Sequence, residues 1–270
     1  MPAAAPNATA LRTVLIGATG RMGRALLQAA PAFPRLAISA AVAAPGSPAV
    51  GRDAGELAGL GPSGVRVSAD LAAALADADV AIDFSTGEAT RANLAACRAA
   101  HTALLIGATG YPQDLDAELT AAARDIALLV APNTSLGVAV MTELVRLAAR
   151  SLPPDFDIDV LDIHRRGKRD APSGTALALG AAAGEGRRKG RNEAPGPHGP
   201  EREIAFASVR AGEMVGEHSV LFSGPGEQLS VTHRASDRSV YAWGALAAAL
   251  WLASRPAGRY SMGDVLEFKQ

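Results

Sequence analysis

The segment Thr13-Val14-Leu15-Ile16-Gly17-Ala18-Thr19-Gly20-Arg21-Met22-Gly23 decides the fold of the first half of this 270-residue chain. An apolar run at 13–16 leads into a glycine-rich turn, and a helical stretch follows the turn. Gly17 permits a tight turn, Gly20 lets backbone N–H groups approach a pyrophosphate, and Gly23 lets the helix lie close to the strand. Strand, turn and helix in this order predict a dinucleotide-binding loop at the start of an α/β domain.

Apolar runs alternate with helical stretches through the rest of the first half. The pattern predicts strands at 13–16, 36–42, 80–84, 103–106 and 126–130, with helices at 21–30, 71–77, 88–100 and 115–124. Strands that alternate with helices form parallel sheets covered on both faces. We therefore predict an α/β fold of the Rossmann type, with a doubly wound parallel sheet.

One stretch of the sequence is repeated. The residues Leu-Ile-Gly-Ala-Thr-Gly at 15–20 recur letter for letter at 105–110. Two strand ends of one parallel sheet that open into small loops form the two sides of a crevice at its carboxyl edge, where such sheets bind ligands. The simpler interpretation of the second copy is a strand-to-helix turn without a binding role.

The end of the second predicted strand bears on the choice of nucleotide. Dinucleotide-binding folds place there an acid that holds the adenine ribose, or near it an arginine that holds a 2′-phosphate. Here the strand ends in Ala43 and Ala44. Arg21 and Arg52 are the nearby cations, so the choice between NADH and NADPH stays open.

The pattern changes after Pro132 and predicts a second, α+β domain for substrate binding and oligomerisation. A long helix at 136–150 precedes an alternating strand at 156–160, and strand-like runs follow at 203–209, 214–222 and 228–233. We predict a dinucleotide-binding domain at 1–134, completed by 241–270 with a helix at 241–253, and a substrate domain at 135–240. The basic stretch 187–191 lies in a predicted surface loop at 184–200, and nucleic-acid binding is its alternative interpretation.

The run 162–175 contains the candidate catalytic residues. It holds His164, the four cations Arg165, Arg166, Lys168 and Arg169, and the turn Ser173-Gly174-Thr175 before a predicted helix at 176–183. Fixed cations and the free N–H groups of a helix start bind carboxylates, and a histidine among them transfers a proton near neutral pH. The simpler alternatives are a core or surface histidine at a strand end and a serine that only caps its helix.

Composition excludes several classes of function. The 26 Lys and Arg against 27 Asp and Glu give a formal net charge of −1, which attracts neither nucleic acid nor acidic lipid. The single cysteine, Cys97, excludes an internal disulfide and, with no long apolar run, predicts a soluble cytoplasmic protein. The other histidines, 101, 198, 218 and 233, are scattered without metal-ligand spacing, so we predict no metal.

These motifs resemble those of the dihydrodipicolinate reductase family. The resemblance runs nearly end to end and rests on the following stretches: 17–23, Ile82-Asp83-Phe84-Ser85, 107–110, Ala131-Pro132-Asn133-Thr134-Ser135, 164–175, Val209-Arg210-Ala211-Gly212 and Gly216-Glu217-His218. The stretch Lys168 to Ala176 is the most specific. The resemblance implies a homotetramer that reduces a cyclic imine dicarboxylate with NADH or NADPH in the diaminopimelate route to lysine.

The resemblance also implies roles for individual residues. It implies that His164 and Lys168 act as acid and base, and that Gly174 and Thr175 bind a substrate carboxylate. The family usually has a second histidine where this chain has Arg165, whose forked donor set also suits a carboxylate. Cofactor contacts are implied for Gly17, Ala18, Thr19, Gly20, Arg21, Met22, Gly107, Ala108, Thr109, Ala131, Pro132, Asn133 and Thr134.

Two alternatives to this function stay open at the level of sequence. One is another two-domain nicotinamide reductase that acts on an imine or a semialdehyde. The other is a dinucleotide sensor without catalysis, which the missing ribose acid and Arg165 suggest. Because hydride transfer joins two domains, we expect hinges near 132–135 and 236–241, where the chain crosses between them.

Overall fold

The computed structural model describes residues 10–190 and 204–267. The chain divides into two compact units. Unit 1 comprises Met1–Ser135 and Ser239–Gln270, and unit 2 comprises Leu136–Arg238.

Unit 1 is built around a parallel sheet. Its strands are β1 Leu11–Ile16, β2 Leu36–Val42, β3 Val67–Ser68, β4 Val80–Asp83, β5 Ala103–Ile106, β6 Ala127–Val130 and β11 Gly258–Tyr260. Its helices are α1 Arg21–Ala29, α2 Ala54–Leu57, α3 Leu71–Leu75, α4 Gly87–Ala99, α5 Asp116–Ala122, α8 Ser239–Leu252 and α9 Met262–Val265.

The order of the strands confirms the predicted doubly wound fold. Across the described part of unit 1 the sheet has seven strands in the order β11-β6-β5-β4-β1-β2-β3, and every pairing is parallel. The direction of winding reverses between β1 and β4, so their carboxyl ends diverge into a crevice. The sequence pattern missed β3 and β11, because two or three residues at a sheet edge show no measurable periodicity.

Helix α8 returns the chain to unit 1 and packs on α1, β4 and β5. It is apolar around its whole circumference, as a helix covered on several sides is, and Ala245, Leu246 and Leu252 are fully buried. The hydroxyl of Thr134 donates to the carbonyl of Tyr241 at 2.7 Å and joins the outgoing and returning segments of the chain.

The described part of unit 2 contains a mixed sheet and two helices. Its elements are α6 Leu136–Ser151, β7 Asp157–His164, α7 Gly174–Gly190, β8 Ala205–Arg210, β9 Gly216–Gly224 and β10 Glu227–Ala235. In the described part of this unit the strand order is β10-β9-β7-β8, with β7 and β8 parallel and the other pairs antiparallel. The core lies between one face of the sheet and the helices, where Val160, Leu179, Val220 and Phe222 are almost fully buried.

Helix α7 extends beyond its predicted end, so the prediction of a loop at 184–200 is wrong for its first part. Residues 184–190 are helical, and 191–200 lie outside the described residues. Gly186 lies so close to α6 that a Cβ there would be 2.3 Å from the carbonyl oxygen of Arg146. Arg187 donates to the carbonyl of Phe156 at 2.6 Å and thus supports the core of unit 2. Tertiary contacts therefore stabilise a helix whose glycines indicated a loop.

The described residues contain no helix with both the length and the apolar character that crossing a bilayer requires.

The close approach of α6 and α7 leads to a stability prediction. Gly186→Ala is expected to lower the free energy of unfolding by about 1–3 kcal/mol, because its methyl group would overlap the backbone of α6. Gly184→Ala is the matched control on the same helix, since a Cβ there would meet its nearest atom at 3.6 Å. The control is expected to gain up to about 1 kcal/mol from helix propensity. Urea denaturation measures both values, and equal effects of the two substitutions would contradict the packing described here.

Candidate active site

The first glycine turn follows β1 and is held by close backbone contacts. Gly17 has a φ of +79°, and a Cβ there would lie 2.7 Å from the carbonyl oxygen of Phe84. The N–H groups of Gly17 and Ala18 donate to the carbonyl of Val42 at 2.9 and 3.0 Å. A Cβ on Gly23 would lie 2.4 Å from the carbonyl oxygens of Gly17 and Ala18. Side chains are excluded at both glycines, so helix α1 begins directly at the turn.

The start of α1 suits the pyrophosphate of a dinucleotide. Gly20 precedes the helix. No side chain caps the first N–H groups of α1, and the first turn of α1 contains no acidic residue. The free N–H groups and the positive end of the helix dipole therefore stay available to an anion. The predicted contacts Thr19, Arg21 and Met22 lie on this turn and the first residues of the helix.

The second copy of the glycine turn follows β5, and the end of β4 lies between the two copies. A Cβ on Gly107 would lie 2.3 Å from the ring of Phe84, so this ring packs against the turn of Gly107, Ala108 and Thr109. Gly107 and Ala108 donate to the carbonyl of Asp83 at 2.8 and 3.1 Å. The structure thus brings both copies to one sheet edge, on either side of Phe84.

The segment after β6 reaches the same edge. Ala131 donates to the carbonyl of Ile106 at 2.9 Å, which places the following residue, Pro132, beside the β5 turn. Asn133 accepts from the N–H of Ser135 through Oδ1 at 2.9 Å. The hydroxyl of Thr134 is buried and bound to Tyr241, so a cofactor contact from Thr134 would have to come from its backbone.

The end of β2 carries no acid. Ala43 is buried and donates to the carbonyl of Ser68 at 2.9 Å, and Ala44 is exposed. Neither side chain offers a hydrogen bond to a ribose hydroxyl.

The candidate catalytic residues belong to unit 2. His164 is the last residue of β7 and is buried, with 7% of its surface exposed. The loop after it is tied to the 210–214 turn, because Arg165 donates to the carbonyl of Met214 at 2.8 Å and Ala211 donates to that of His164 at 3.0 Å. These backbone bonds hold the histidine at a defined point of the sheet edge.

Asp162 is the polar centre of this region. It is fully buried and lies two residues before His164, so both side chains are on the helix-covered face of β7. Its Oδ2 accepts from Arg210 Nη2 at 3.0 Å and from the N–H of Ser173 at 3.2 Å, and its Oδ1 accepts from Ser208 Oγ. Its Oδ2 also lies 3.1 Å from His164 Nδ1. Burial raises the pKa of Asp162, but the bonds from Ser208 and Arg210 outweigh burial and leave the pKa below its ordinary value.

His218 belongs to the same cluster, so the prediction of scattered histidines is wrong for this residue. The antiparallel register of β9 and β7 sets it opposite Asp162, and its ring makes an edge contact with that of His164 at 5.0 Å between centroids. Its Nε2 lies 3.1 Å from Ser173 Oγ. Burial, followed by the charge of His164, lowers the pKa of His218 to about 4, so this ring is neutral at physiological pH.

The charge of His164 is set by opposing neighbours. Burial and then the ammonium of Lys168 lower the pKa of the imidazole, whereas the carboxylate of Asp162 raises it, and the net shift is downward. Lys168 Nζ donates to Asp170 Oδ2 at 2.7 Å. An ammonium has three N–H donors, so two remain for a ligand.

The predicted substrate residues surround the start of α7. Ser173 is buried and accepts from the N–H of Ala176 at 3.2 Å, which confirms that it caps the helix. Gly174 is exposed, with no atom within 4 Å of the position of a Cβ, and Thr175 is partly buried. Across residues 10–190 and 204–267, no group pairs with the guanidinium of Arg165. A carboxylate therefore finds an open position at Gly174 and, within the described part of the chain, an unpaired guanidinium on Arg165.

Asp162, His164 and His218 offer possible ligand atoms within 4.8 Å of one another. Arg210 and the N–H of Ser173 already donate to Oδ2 of the carboxylate, and a cation there would lie next to the guanidinium. The chemistry of this donor set therefore fits proton transfer better than metal binding.

Asp162, Arg210 and His218 have no functional role that the sequence pattern predicts. Their side chains come together through the register of three strands, with Ser208 and His218 opposite Asp162 and Arg210 opposite His164. Spacing along the chain shows nothing of this register. The signal that was present is the Arg210 and His218 motifs among those shared with the family.

Comparison with known proteins gives the same family from several directions. Models of the dihydrodipicolinate reductase N-terminus and C-terminus match residues 11–134 and 137–266. The 4-hydroxy-tetrahydrodipicolinate reductase of Anaeromyxobacter dehalogenans (strain 2CP-1) is 48% identical over 262 residues, which are 94% of this chain and 97% of the relative. That of Alkalilimnicola ehrlichii is 49% identical, over 94% of this chain and 98% of the relative.

A solved structure has the same fold. The dipicolinate-bound dihydrodipicolinate reductase of Paenisporosarcina sp. TG-14 superposes with a TM-score of 0.75 at 21% identity and covers 94% of this chain and 98% of its own. The family models and the identity to curated relatives extend over both units. The chain belongs to the dihydrodipicolinate reductase family.

Proposed function

We propose that the protein reduces dihydrodipicolinate, which forms from 4-hydroxy-tetrahydrodipicolinate by loss of water, to tetrahydrodipicolinate with NADH or NADPH, as a step of lysine biosynthesis through diaminopimelate. The observation that supports it best is the buried pair of Asp162 and His164 beside Lys168 and the open start of α7. The curated relatives carry the name of this activity, and the relative of the same fold was solved with dipicolinate.

The substrate carries two carboxylates, and the chain offers two sets of donors for them. One carboxylate is assigned to the N–H groups of Gly174 and Thr175, at the positive end of the 17-residue helix α7. The other is assigned to Arg165 and Lys168. A forked guanidinium binds a carboxylate through two parallel bonds, which orients the ring as well as holding it.

The reduction itself is a hydride transfer followed by protonation. The nicotinamide, when bound at the glycine turns, supplies the hydride. A conjugated imine that accepts a hydride becomes negatively charged, and the charge must be met by a proton. Lys168, or a water that it orders, polarises the ring nitrogen, and His164 supplies the proton to carbon or nitrogen. Burial around His164 strengthens these interactions, since the local dielectric is low.

The lone cysteine supports a cytoplasmic location for this reaction. Cys97 is buried on α4, and burial raises its pKa to about 12. The thiol is thus unreactive and has no disulfide partner in the sequence, which fits a reducing compartment.

The proposed activity has a direct test. The purified protein is mixed with freshly generated dihydrodipicolinate, and oxidation of NADH and of NADPH is followed by absorbance. His164→Ala is expected to lower kcat by about 10²–10⁴, because a positioned acid contributes that much to proton transfer. The double variant His164→Ala with Lys168→Ala is expected to abolish measurable turnover while nucleotide binding, followed by fluorescence, persists.

His101→Asn is the matched control. His101 is an exposed histidine of unit 1 with a φ of +52°, which asparagine tolerates, and its variant is expected to keep wild-type turnover. Wild-type protein that oxidises neither nucleotide, or a double variant that retains full turnover, would contradict the proposed chemistry.

The end of β2 generates a prediction about the nucleotide. We propose that NADPH is used at least as well as NADH, because no carboxylate at Ala43 binds the ribose hydroxyls or repels a 2′-phosphate. Ala43→Glu is expected to lower KM for NADH and to raise KM for NADPH. The ratio of the KM for NADPH to the KM for NADH is expected to rise roughly tenfold. Ala43→Gln has the same size without the charge and is expected to change the ratio far less. A similar ratio in both variants would show that this position does not select the nucleotide.

The sheet of unit 2 supports the proposed homotetramer. Helices α6 and α7 pack on one face. The side chains of Leu161, Ile163, Val209 and Leu221 alternate with the core residues of their strands and point away from these helices. In the described part of unit 2 no helix covers this second face, and apolar patches of this kind commonly mark interfaces.

Val209→Arg tests this interface. Val209 is 42% exposed, and a charge there is expected to dissociate the tetramer, which light scattering measures as a fall in mass. Val50→Arg, at a side chain of unit 1 that is 43% exposed, is expected to leave the mass unchanged. A wild-type protein that is monomeric at micromolar concentration would overturn the proposal.

A further inference from the structure

We infer that Asp162, clamped by Arg210, is a positioning residue for the proposed reaction: it holds the imidazole of His164 with Nδ1 protonated, so that Nε2 is the atom that faces the substrate. The inference rests on the proposed function for its catalytic meaning. Its structural content, the identity of the protonated ring nitrogen, stands separately.

The carboxylate of Asp162 lies next to the ring of His164. Oδ2 of Asp162 lies 3.1 Å from Nδ1 of His164, and both side chains are buried. In the described structure the Nδ1 atom is shielded from solvent and makes no well-aligned hydrogen bond, and the carboxylate of Asp162 is the charged group that lies beside it. A buried ring nitrogen next to a carboxylate oxygen is favourable only when the nitrogen carries hydrogen, since two acceptors would repel each other.

The side chain of Asp162 has little freedom to move. Three donors hold it from three directions: Ser208 of β8, Arg210 of β8 and the N–H of Ser173 before α7. These donors also keep it ionised, because they outweigh its burial and lower its pKa. A fixed, charged acceptor orients an imidazole more strictly than a mobile one, and a carboxylate that orients a histidine is a recurring arrangement in acid and base catalysis.

Arg210 joins the pair of Asp162 and His164 to the loop between Lys168 and Ser173. Its Nη2 donates to Asp162 Oδ2 at 3.0 Å and to the carbonyl of Asp170 at 2.6 Å. The same guanidinium thus fixes the carboxylate and the segment between Lys168 and Ser173. Its Nη1 donates to the carbonyl of Val209 at 2.8 Å, and its Nε is buried without a hydrogen-bond partner in the described structure.

The charge of His164 depends on every titratable group that faces it. Asp162 lies on its own strand, Arg210 on β8, His218 on β9 and Lys168 on the following loop. Of these, Asp162 is the anion, and it opposes burial and both cations. Loss of this charge is expected to disfavour the imidazolium form that donates the proton.

Asp162→Asn in the full-length protein tests the inference. The kcat of an enzyme that needs protonated His164 falls as pH rises through the pKa of this residue. In the variant this alkaline limb is expected to move to lower pH, and kcat at pH 8 to fall roughly tenfold or more. The KM for the dicarboxylate is expected to change less than about threefold, because the substitution leaves the residues assigned to the substrate carboxylates in place.

Ser208→Ala is the matched control. It removes another bond to the same carboxylate but leaves the charge beside His164, so the alkaline limb is expected to stay at its wild-type pH. An Asp162→Asn profile with an unmoved limb, or a Ser208→Ala profile shifted equally, would overturn the positioning role.

A second measurement does not depend on turnover or on folding of the variant. Long-range ¹H–¹⁵N correlation spectra of the wild-type protein, with the ring of His164 assigned from His164→Gln, report which nitrogen carries hydrogen. Neutral His164 with Nδ1 protonated supports the inference, and neutral His164 with Nε2 protonated overturns it. If the wild type shows the Nδ1 form but no turnover, the proposed function fails while the placement of the proton stands.

Discussion

The buried carboxylate of Asp162 is the interaction on which the second unit depends. Its oxygens accept hydrogen bonds from Ser208 and Arg210 of β8 and from the N–H of Ser173 before α7. They also lie next to the imidazole at the end of β7, so three elements meet at one charge. A charge of this kind is expensive to bury unless every oxygen is satisfied, and here both oxygens are. The same bonds that stabilise the fold therefore bring His164, Arg210 and the start of α7 into one arrangement. Structure and proposed chemistry share a single polar network.

Unit 1 differs from unit 2, because its candidate binding surface is formed by backbone groups. Gly17 and Gly107 approach Phe84 so closely that side chains at these positions are excluded, and Gly23 lets α1 lie directly on the turn. The sheet order then sets the ends of β1, β4 and β5 side by side. Free N–H groups at such an edge recognise phosphate through geometry that any sequence with the right glycines reproduces. The contacts of unit 2 are instead made by particular side chains.

This difference explains which predictions from sequence are confirmed. The alternation of strands and helices, the glycine turn after 13–16 and the strand-like runs of the second half are local patterns, and the structure contains them. The loop predicted at 184–200 is wrong for residues 184–190, because the fit of Gly186 against α6 and the bond of Arg187 to Phe156 stabilise a helix there. The sequence pattern shows His218 as one of several scattered histidines without metal-ligand spacing, and only the register of β9 with β7 places it opposite Asp162 and near His164.

The amino-acid sequence by itself determined the Rossmann-type architecture, the residues of the glycine turns and the run of His164, Lys168 and Ser173 to Thr175. These features depend on periodicity and on neighbours within a few residues, which a chain carries before it folds. The tertiary structure brings Asp162, Ser208, Arg210 and His218 around His164, pairs Lys168 with Asp170 and, among the described residues, leaves the guanidinium of Arg165 without a partner. The physical reason is that strand register places side chains from distant segments on one face, and register is set by the packing of the whole sheet.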